Sequence, residues 1–371
     1  MTTTDETTVA GAVAAVLTEL AASGPDMSGA ALLRGIGRAG LLARCLTDDP
    51  RQPLRLDRFG ELIEALAGHA PSGPTLSCVV HLATFLPLVR RLAHESMADV
   101  VAAAVAGRAV GTIAATDAGV AGSDLLGIET TVELGDDRIT VRGTKEWITN
   151  ATTADYYAVV ARHHPGRHFS SLSVVLAPAD APGVTREAID SAVMAGAGIG
   201  RVTFDNVVLP RTALLGRPGW GFAYFVEQMA AERLAGGFWA VAVARNVLAR
   251  TVAYLRDHHV GEESLWERTA VRHDLARLAV RLRLLEALVA QIVATASATG
   301  RLPTRDTAVL KAALAPLVIE TVERCLQLHG ADGFAADRGL LRLLDDVRVF
   351  GVAGGTTETM LDLVAGGLVR S

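Results

Sequence analysis

Gly143-Thr144-Lys145-Glu146-Trp147-Ile148-Thr149-Asn150 is the stretch on which the fold turns. It comes after Ile139-Thr140-Val141, a β-branched run of the kind that packs well in strands. It closes on an asparagine, a residue that favours turns. Further strand-like runs at 156–160, 172–176 and 202–209 are separated by Gly, Pro and Asp. The spacing predicts a small β domain over 112–217.

On either side the texture is helical. Upstream, Val13, Val16, Leu17 and Leu20, then Phe59, Leu62, Ile63 and Leu66, recur at three- and four-residue intervals, with breaks at Pro25, Pro53 and Pro74. This predicts an N-terminal helical domain over 1–111. After Pro218-Gly219 the same period returns, with long helices expected at 234–254, 273–298 and 307–327. Gly300 and Pro303 separate the last two, and Pro316 is expected to kink the third. The C-terminal helical domain is set at 218–371, and the fold class is mostly α with a central β domain.

Composition narrows the function. Half of the 371 residues are hydrophobic, enough for a large core. The apolar stretches 100–106 and 275–293 are bounded or interrupted by Asp, Gly, Arg or Glu before reaching the roughly 20 residues a membrane span needs, so no membrane partner is expected. Met1-Thr2-Thr3-Thr4-Asp5-Glu6 lacks the basic start and apolar run of a secretory signal, which predicts a cytoplasmic protein. A net charge of −5 gives no general attraction to a phosphate backbone, and no nucleic acid is expected. Cys45, Cys78 and Cys325 are too scattered for a disulfide framework or zinc site and read as reduced core thiols. The pairs His163-His164 and His258-His259 cannot share a helix face, so no metal is expected.

Five segments, in order, resemble the acyl-CoA dehydrogenase family over nearly the whole chain. Thr116-Asp117-Ala118-Gly119-Val120-Ala121-Gly122-Ser123-Asp124 is similar to T-E-P-x-A-G-S-D, with one residue inserted and the proline missing. Gly143 to Asn150 is similar to G-x-K-x-W-I-T-N, the most specific of the five. The stretch from Val202 to Pro210, with Leu214-Leu215-Gly216 and Gly219-Trp220-Gly221-Phe222, resembles V-x-F-x-x-V-x-V-P, L-L-G and G-x-G-F. Gln327-Leu328-His329-Gly330-Ala331-Asp332-Gly333-Phe334 resembles Q-x-x-G-G-x-G-Y, and Gly354-Gly355-Thr356-Thr357-Glu358 resembles E-G-T-x-E with its catalytic glutamate replaced.

The resemblance implies a β-barrel-like middle domain, a C-terminal four-helix bundle, FAD and an acyl thioester carried by coenzyme A or an acyl-carrier protein. It also implies a homodimer or homotetramer, with electron-transfer flavoprotein or another acceptor. By the resemblance, Thr116, Trp147 and Thr149 would line the flavin ring, and Ser123 would lie near the flavin or the carrier arm. Gln327 and Gly330 belong to the cofactor segment, and Thr356 and Glu358 would approach the cofactor beside the loop. Taken alone, Trp147 reads as a core residue at a strand end. With its neighbours it reads as a flat apolar face for a ring, and Thr149 as a hydroxyl for the ring edge.

Desaturation at the α and β carbons needs a carboxylate within reach of the α proton and donors for the developing enolate oxygen. Gly354 has only its backbone N–H, which in this family helps polarise the thioester carbonyl. Isovaleryl-CoA and long-chain members place the glutamate on a helix in an E-R-L segment, which Glu232-Arg233-Leu234 resembles. Glu232 is therefore the candidate base. Arg233 would serve structure or the substrate carrier, and Ala353, Gly354 and Gly355 would leave room for a branched or bulky acyl group. The family's R-x-x-F-G also departs, as Tyr254-Leu255-Arg256-Asp257-His258-His259-Val260-Gly261, where Arg256 would compensate by a one-residue shift. Two alternatives stand beside a dehydrogenase: the fold redirected to oxygenation or non-redox chemistry, and an incomplete subunit that pairs with a homologous chain in a heteromer.

Overall fold

The computed structural model describes residues 8–23, 27–50 and 52–368, so the opening run Met1 to Glu6 and the break at Pro25 lie outside the described residues. The chain divides into two compact units, Met1–Glu232 and Arg233–Ser371. The first begins with helices α1 (Val9–Ser23), α2 (Gly29–Arg38), α3 (Leu41–Arg44), α4 (Leu56–His69), α5 (Ser72–Val80), α6 (Leu86–Leu92) and α7 (Ala98–Val105). The periodic residues Val13, Val16, Phe59, Leu62, Ile63 and Leu66 are all buried, and α1 packs on α4 while α2 packs on α5. A π turn over His81–Phe85 joins α5 to α6. The resulting helix, Ser72–Leu92, is long and apolar enough to cross a membrane by length and composition, yet it is packed inside the protein as a core helix.

His81 ties this helix to its neighbours. Its buried ring donates from Nε2 to the Ala104 carbonyl at 3.2 Å and accepts from the Gly111 N–H at Nδ1, 2.9 Å away. Burial pushes its pKa down to about 4, against the opposing pull of the Ala104 and Gly111 carbonyls. One neutral imidazole thus joins the core helix to the end of α7 and the start of the sheet.

Among the described residues the sheet has eight strands: β1 (Gly111–Ala114), β2 (Thr131–Leu134), β3 (Arg138–Ile148), β4 (Tyr156–Arg162), β5 (Leu172–Pro178), β6 (Val184–Ala188), β7 (Gly200–Pro210) and β8 (Leu214–Leu215). Their order is β6-β7-β3-β2-β4-β5-β8, with β1 paired parallel to β4. Tyr157 on β4 and Phe204 on β7 are separated by β2 and β3, which in a flat sheet would hold them about 14 Å apart. Their rings meet edge to face at 6.0 Å. The sheet therefore curls round one core, to which β1 gives Ala114, β2 Val132, β3 Val141, β5 Val175 and β7 Val207. The short strands β1, β2, β6 and β8 escape a reading from sequence. Edge strand β6 has no buried residue and so no alternation to detect.

Helix α8 (Gly221–Asp257) begins in the first unit and continues through the second, starting well before the expected residue 234. The second unit adds α9 (Thr269–Thr299), α10 (Thr304–Leu328), α11 (Leu340–Val347) and α12 (Thr357–Leu368). Along α9, Leu275, Leu278, Leu282, Leu285, Val289, Ile292 and Ala296 alternate steps of three and four to form its buried seam. Gly300, at φ 71°, closes α9, as a left-handed glycine at a helix end should. Helix α10 runs through Pro316 as one element. A Cβ at Gly237 would lie 2.7 Å from Leu310 and 3.2 Å from Val289, so that glycine lets α8 approach both neighbours.

Candidate active site

At the end of β3 the pairing with β7 slips between Lys145 and Ile148. Within that bulge Trp147 takes φ 58°, a left-handed conformation costing a bulky residue roughly 1–2 kcal/mol. Such a conformation persists only where the surroundings over-determine it. Trp147 is also 60% exposed, which overturns its reading as a core residue. Both flanks of the bulge are pinned. Upstream, the fully buried Lys145 ammonium lies 2.5 Å from Asp117 and donates to the Ala115 carbonyl at 2.8 Å. Asp117 in turn accepts from the Thr130 N–H and hydroxyl, each at 2.7 Å, and from the Glu129 N–H. Downstream, Asn150, itself at φ 63°, donates to the Ser77 carbonyl at 3.1 Å and accepts from the Ser77 hydroxyl.

Burial pulls the Lys145 pKa down to about 8 while Asp117 pushes it back up. For Asp117, burial works against the carboxylate, but the charge and hydrogen bonds of Lys145 and Thr130 outweigh it and hold the pKa below the usual range. The pair fastens the loop after β1 to β3. Two backbone bonds complete the join, from Glu146 N–H to the Thr116 carbonyl and from Ala118 N–H to the Thr144 carbonyl, at 2.9 and 3.0 Å.

This frame brings Thr116, Trp147 and Thr149 to one end of the sheet. Thr116 and Thr149 are half-buried, and the Thr149 carbonyl accepts from the Thr112 hydroxyl at 2.8 Å. A Cβ at Gly122 would make ordinary contact with Thr116, 3.4 Å from its hydroxyl. Ser123 is exposed on the same loop. Its neighbour Asp124 accepts from Arg167 at 2.6 and 2.7 Å. Sequence reasoning passed over Asp117 and Lys145 as site-builders, although both stand inside the quoted motifs.

In the second unit, Gly354 and Gly355 have φ 71° and 104°. Gly354 is therefore more than a missing glutamate, because the backbone there is one that side-chain-bearing residues avoid. A Cβ at Gly355 would meet Met360 at 2.7 Å. Arg233 is buried and donates from Nε to the Gly354 carbonyl at 3.0 Å. That bond brings together two residues chosen from sequence, Arg233 and Gly354, and commits at least part of the guanidinium to the loop. Glu232 is half-buried on α8 directly before Arg233. The Thr356 hydroxyl accepts from the Thr359 N–H at 3.2 Å, capping α12, and exposed Glu358 stands in its first turn, where the helix dipole favours an anion.

Gln327 and Gly330 lie exposed at the end of α10, outside the Arg233–Gly354 and Thr356–Thr359 bonds that fix the loop. Beside them Tyr254 stacks on His258 and His329, with ring centroids 5.0 and 4.3 Å apart, and its hydroxyl is 3.1 Å from Asp332. Arg256 lies over the Trp266 ring at 5.6 Å. Among the described residues no group of three or more His, Cys, Asp or Glu is arranged to hold a metal.

Known proteins resemble this chain. Residues 112–207 match the acyl-CoA dehydrogenase middle-domain family, and residues 219–369 match its C-terminal domain family. An acyl-[acyl-carrier-protein] dehydrogenase, MbtN, of Mycobacterium sp. (strain MCS) is 30% identical over 285 residues, covering 76% of this chain and 72% of that protein. The long-chain specific mitochondrial acyl-CoA dehydrogenase of Rattus norvegicus is 26% identical over 298 residues, covering 79% and 68%. A solved structure of a glutaryl-CoA dehydrogenase from Mycobacterium smegmatis in complex with FADH2 superposes with a TM-score of 0.86 at 22% identity, covering 98% of this chain and 94% of that one. With the pinned tryptophan, the glycine loop and these matches together, the chain belongs to the acyl-CoA dehydrogenase family.

Proposed function

We propose that the protein is a FAD-dependent oxidoreductase that introduces a double bond between the α and β carbons of an acyl thioester, with Glu232 as the base. The observation that carries the assignment of the base is the Arg233–Gly354 bond. It holds the loop in a left-handed conformation that suits glycine and disfavours glutamate, while the residue directly before Arg233 is a half-buried carboxylate.

An exposed indole fixed at φ 58°, with the half-buried residues Thr116 and Thr149 at the same end of the sheet, fits a flat heteroaromatic ring, which supports FAD. The glutaryl-CoA dehydrogenase with FADH2 supports the same cofactor. When bound, the flavin supplies the acceptor for the β hydride. The protein's own part is to bind and orient the thioester, to polarise its carbonyl through the Gly354 N–H, and to take the α proton on the Glu232 carboxylate. Ser123, exposed on its loop, is assigned to the carrier arm. Gln327, Gly330, Thr356 and Glu358 are assigned to the cofactor by family resemblance. Electrons leave to electron-transfer flavoprotein or a similar acceptor, and the assembly is a cytoplasmic homodimer or homotetramer.

The test is anaerobic bleaching of the flavin by a panel of acyl thioesters. Glu232→Gln should keep its flavin and reduce it about 10²–10⁴-fold more slowly, the range for loss of a general base. Equal bleaching by both proteins removes Glu232 from the role. A protein that stays yellow with every thioester points instead to redirected chemistry on this fold.

A further inference from the structure

The 163–171 connection between β4 and β5 reads His163-His164-Pro165-Gly166-Arg167-His168-Phe169-Ser170-Ser171. From Tyr156 to Pro178 there is no aspartate or glutamate, and there is none from Asn206 to Val226. The structure brings these two acid-free segments together. The Gly219 N–H donates to the Ser173 hydroxyl at 3.2 Å, and a Cβ at Gly219 would lie 2.9 Å from the Ser170 carbonyl. Residues 164–170 are exposed, Phe169 by 56%, and across from them stand exposed Arg217 and Trp220, the latter at 52%.

The result is a cationic surface with two exposed aromatic rings on a protein whose net charge is −5. Among the described residues, Asp124 is the carboxylate that neutralises it, by taking Arg167. Glu227, farther along α8, is taken by Arg91 at 2.5 Å. Arg162 spends its guanidinium on the carbonyls of Ile128, Leu126 and Gly166, which stiffens the base of the connection. Arg217 and His164 are exposed, while His163 is half-buried against the Ser173 hydroxyl and His168 meets Ser170. The Arg162–Leu126 and Arg167–Asp124 bonds also attach this surface to the loop carrying Ser123.

The geometry points to a docking face for an acidic acyl-carrier protein, formed by the β4–β5 connection and the Arg217–Trp220 turn beside the Ser123 loop. This rests on the thioester reading above and names the carrier. An acidic protein surface complements exposed Arg217 and the acid-free segments around it, and Phe169 and Trp220 supply the apolar anchors that protein interfaces concentrate. A free nucleotide would need only the cations. The carrier's pantetheine arm starts at this face and passes the Ser123 loop.

The test measures binding without turnover. A fluorescently labelled holo acyl-carrier protein is titrated with the flavin-loaded protein at low and moderate salt. Arg217→Glu with His164→Glu should weaken binding about tenfold, with a smaller effect as salt rises, and leave free coenzyme A binding unchanged. Phe169→Ser, which changes no charge, should weaken carrier binding at both salt concentrations. The inference is overturned if the wild-type protein gives no saturable binding, if the charge reversals leave carrier binding intact, or if they weaken coenzyme A in parallel. Specific binding without bleaching by any thioester would support the docking face while sinking the dehydrogenase reading, so the two fail separately.

Discussion

The end of β3 and the loop at Gly354 solve opposite problems. At β3 a bulky aromatic is held in a conformation it resists, and the cost is met by buried side chains on both flanks, Lys145 with Asp117 and Asn150 with Ser77. At Gly354 the left-handed backbone belongs to glycines, and the loop is fixed by one arginine on a carbonyl and one hydroxyl capping the next helix. The first arrangement tolerates almost no change in its supporting residues. The second is held through a backbone carbonyl and a helix cap, so it needs no side chain at Gly354 to stay folded.

The largest expected effect lies in the β3 frame. Lys145→Met leaves the Asp117 carboxylate buried without its counter-ion, and breaking a buried pair in this way costs about 3–5 kcal/mol. Urea unfolding should show that loss. Adding Asp117→Asn should recover part of it, because the uncompensated charge is then gone. Equal midpoints for wild type and Lys145→Met would mean the frame does not hold the bulge.

The first unit should also lose stability in mild acid because of His81. Its folded pKa, about 4, lies below the unfolded value of 6.5. Between those values the unfolded chain binds the proton and the folded chain does not, so stability falls as pH drops from about 6.5 to 4. The linked loss is about 3 kcal/mol. His81→Gln should flatten that part of the stability profile even if the variant is less stable at neutral pH. An unchanged slope would show that another group titrates.

The glycine loop should respond less. Gly354→Glu puts a side chain where φ is 71°, at a cost of about 1–2 kcal/mol. The new carboxylate should not restore bleaching to Glu232→Gln, because a side chain is strained at this left-handed position and Arg233 holds the Gly354 carbonyl in place. Full rescue by the double variant would show that the loop reshapes freely, and that its left-handed form comes from the glycine rather than from Arg233.

Much of this was legible in the sequence. Apolar periodicity located α9 and α10 within a few residues, and β3, β4, β5 and β7 announced themselves through β-branched runs. The features that stayed hidden did so for physical reasons. Lys145 and Asp117 look like surface charges until the fold buries them against one another. Arg233 is adjacent to a candidate base in sequence, but its link to Gly354 spans 121 positions. Thr356 is a cofactor candidate by resemblance, and its hydroxyl is also a helix cap, a role that any Thr-x-x pattern before a helix can play.

The sharpest way to separate the frame from the ring it presents has the smallest effect on stability. Trp147→Gly removes an exposed ring and relieves a left-handed backbone, a gain of about 1–2 kcal/mol. The greater freedom of glycine in the unfolded chain takes back about 0.5–1 kcal/mol. Unfolding of the flavin-free variant should therefore match wild type or exceed it by about 1 kcal/mol. FAD, added back, should bind more weakly. A tryptophan kept only for packing would behave in the opposite way: its loss would destabilise the fold and leave the cofactor untouched. Tighter folding with looser flavin would mean that the frame of Lys145, Asp117, Asn150 and Ser77 exists to hold Trp147 where the chain alone would not put it.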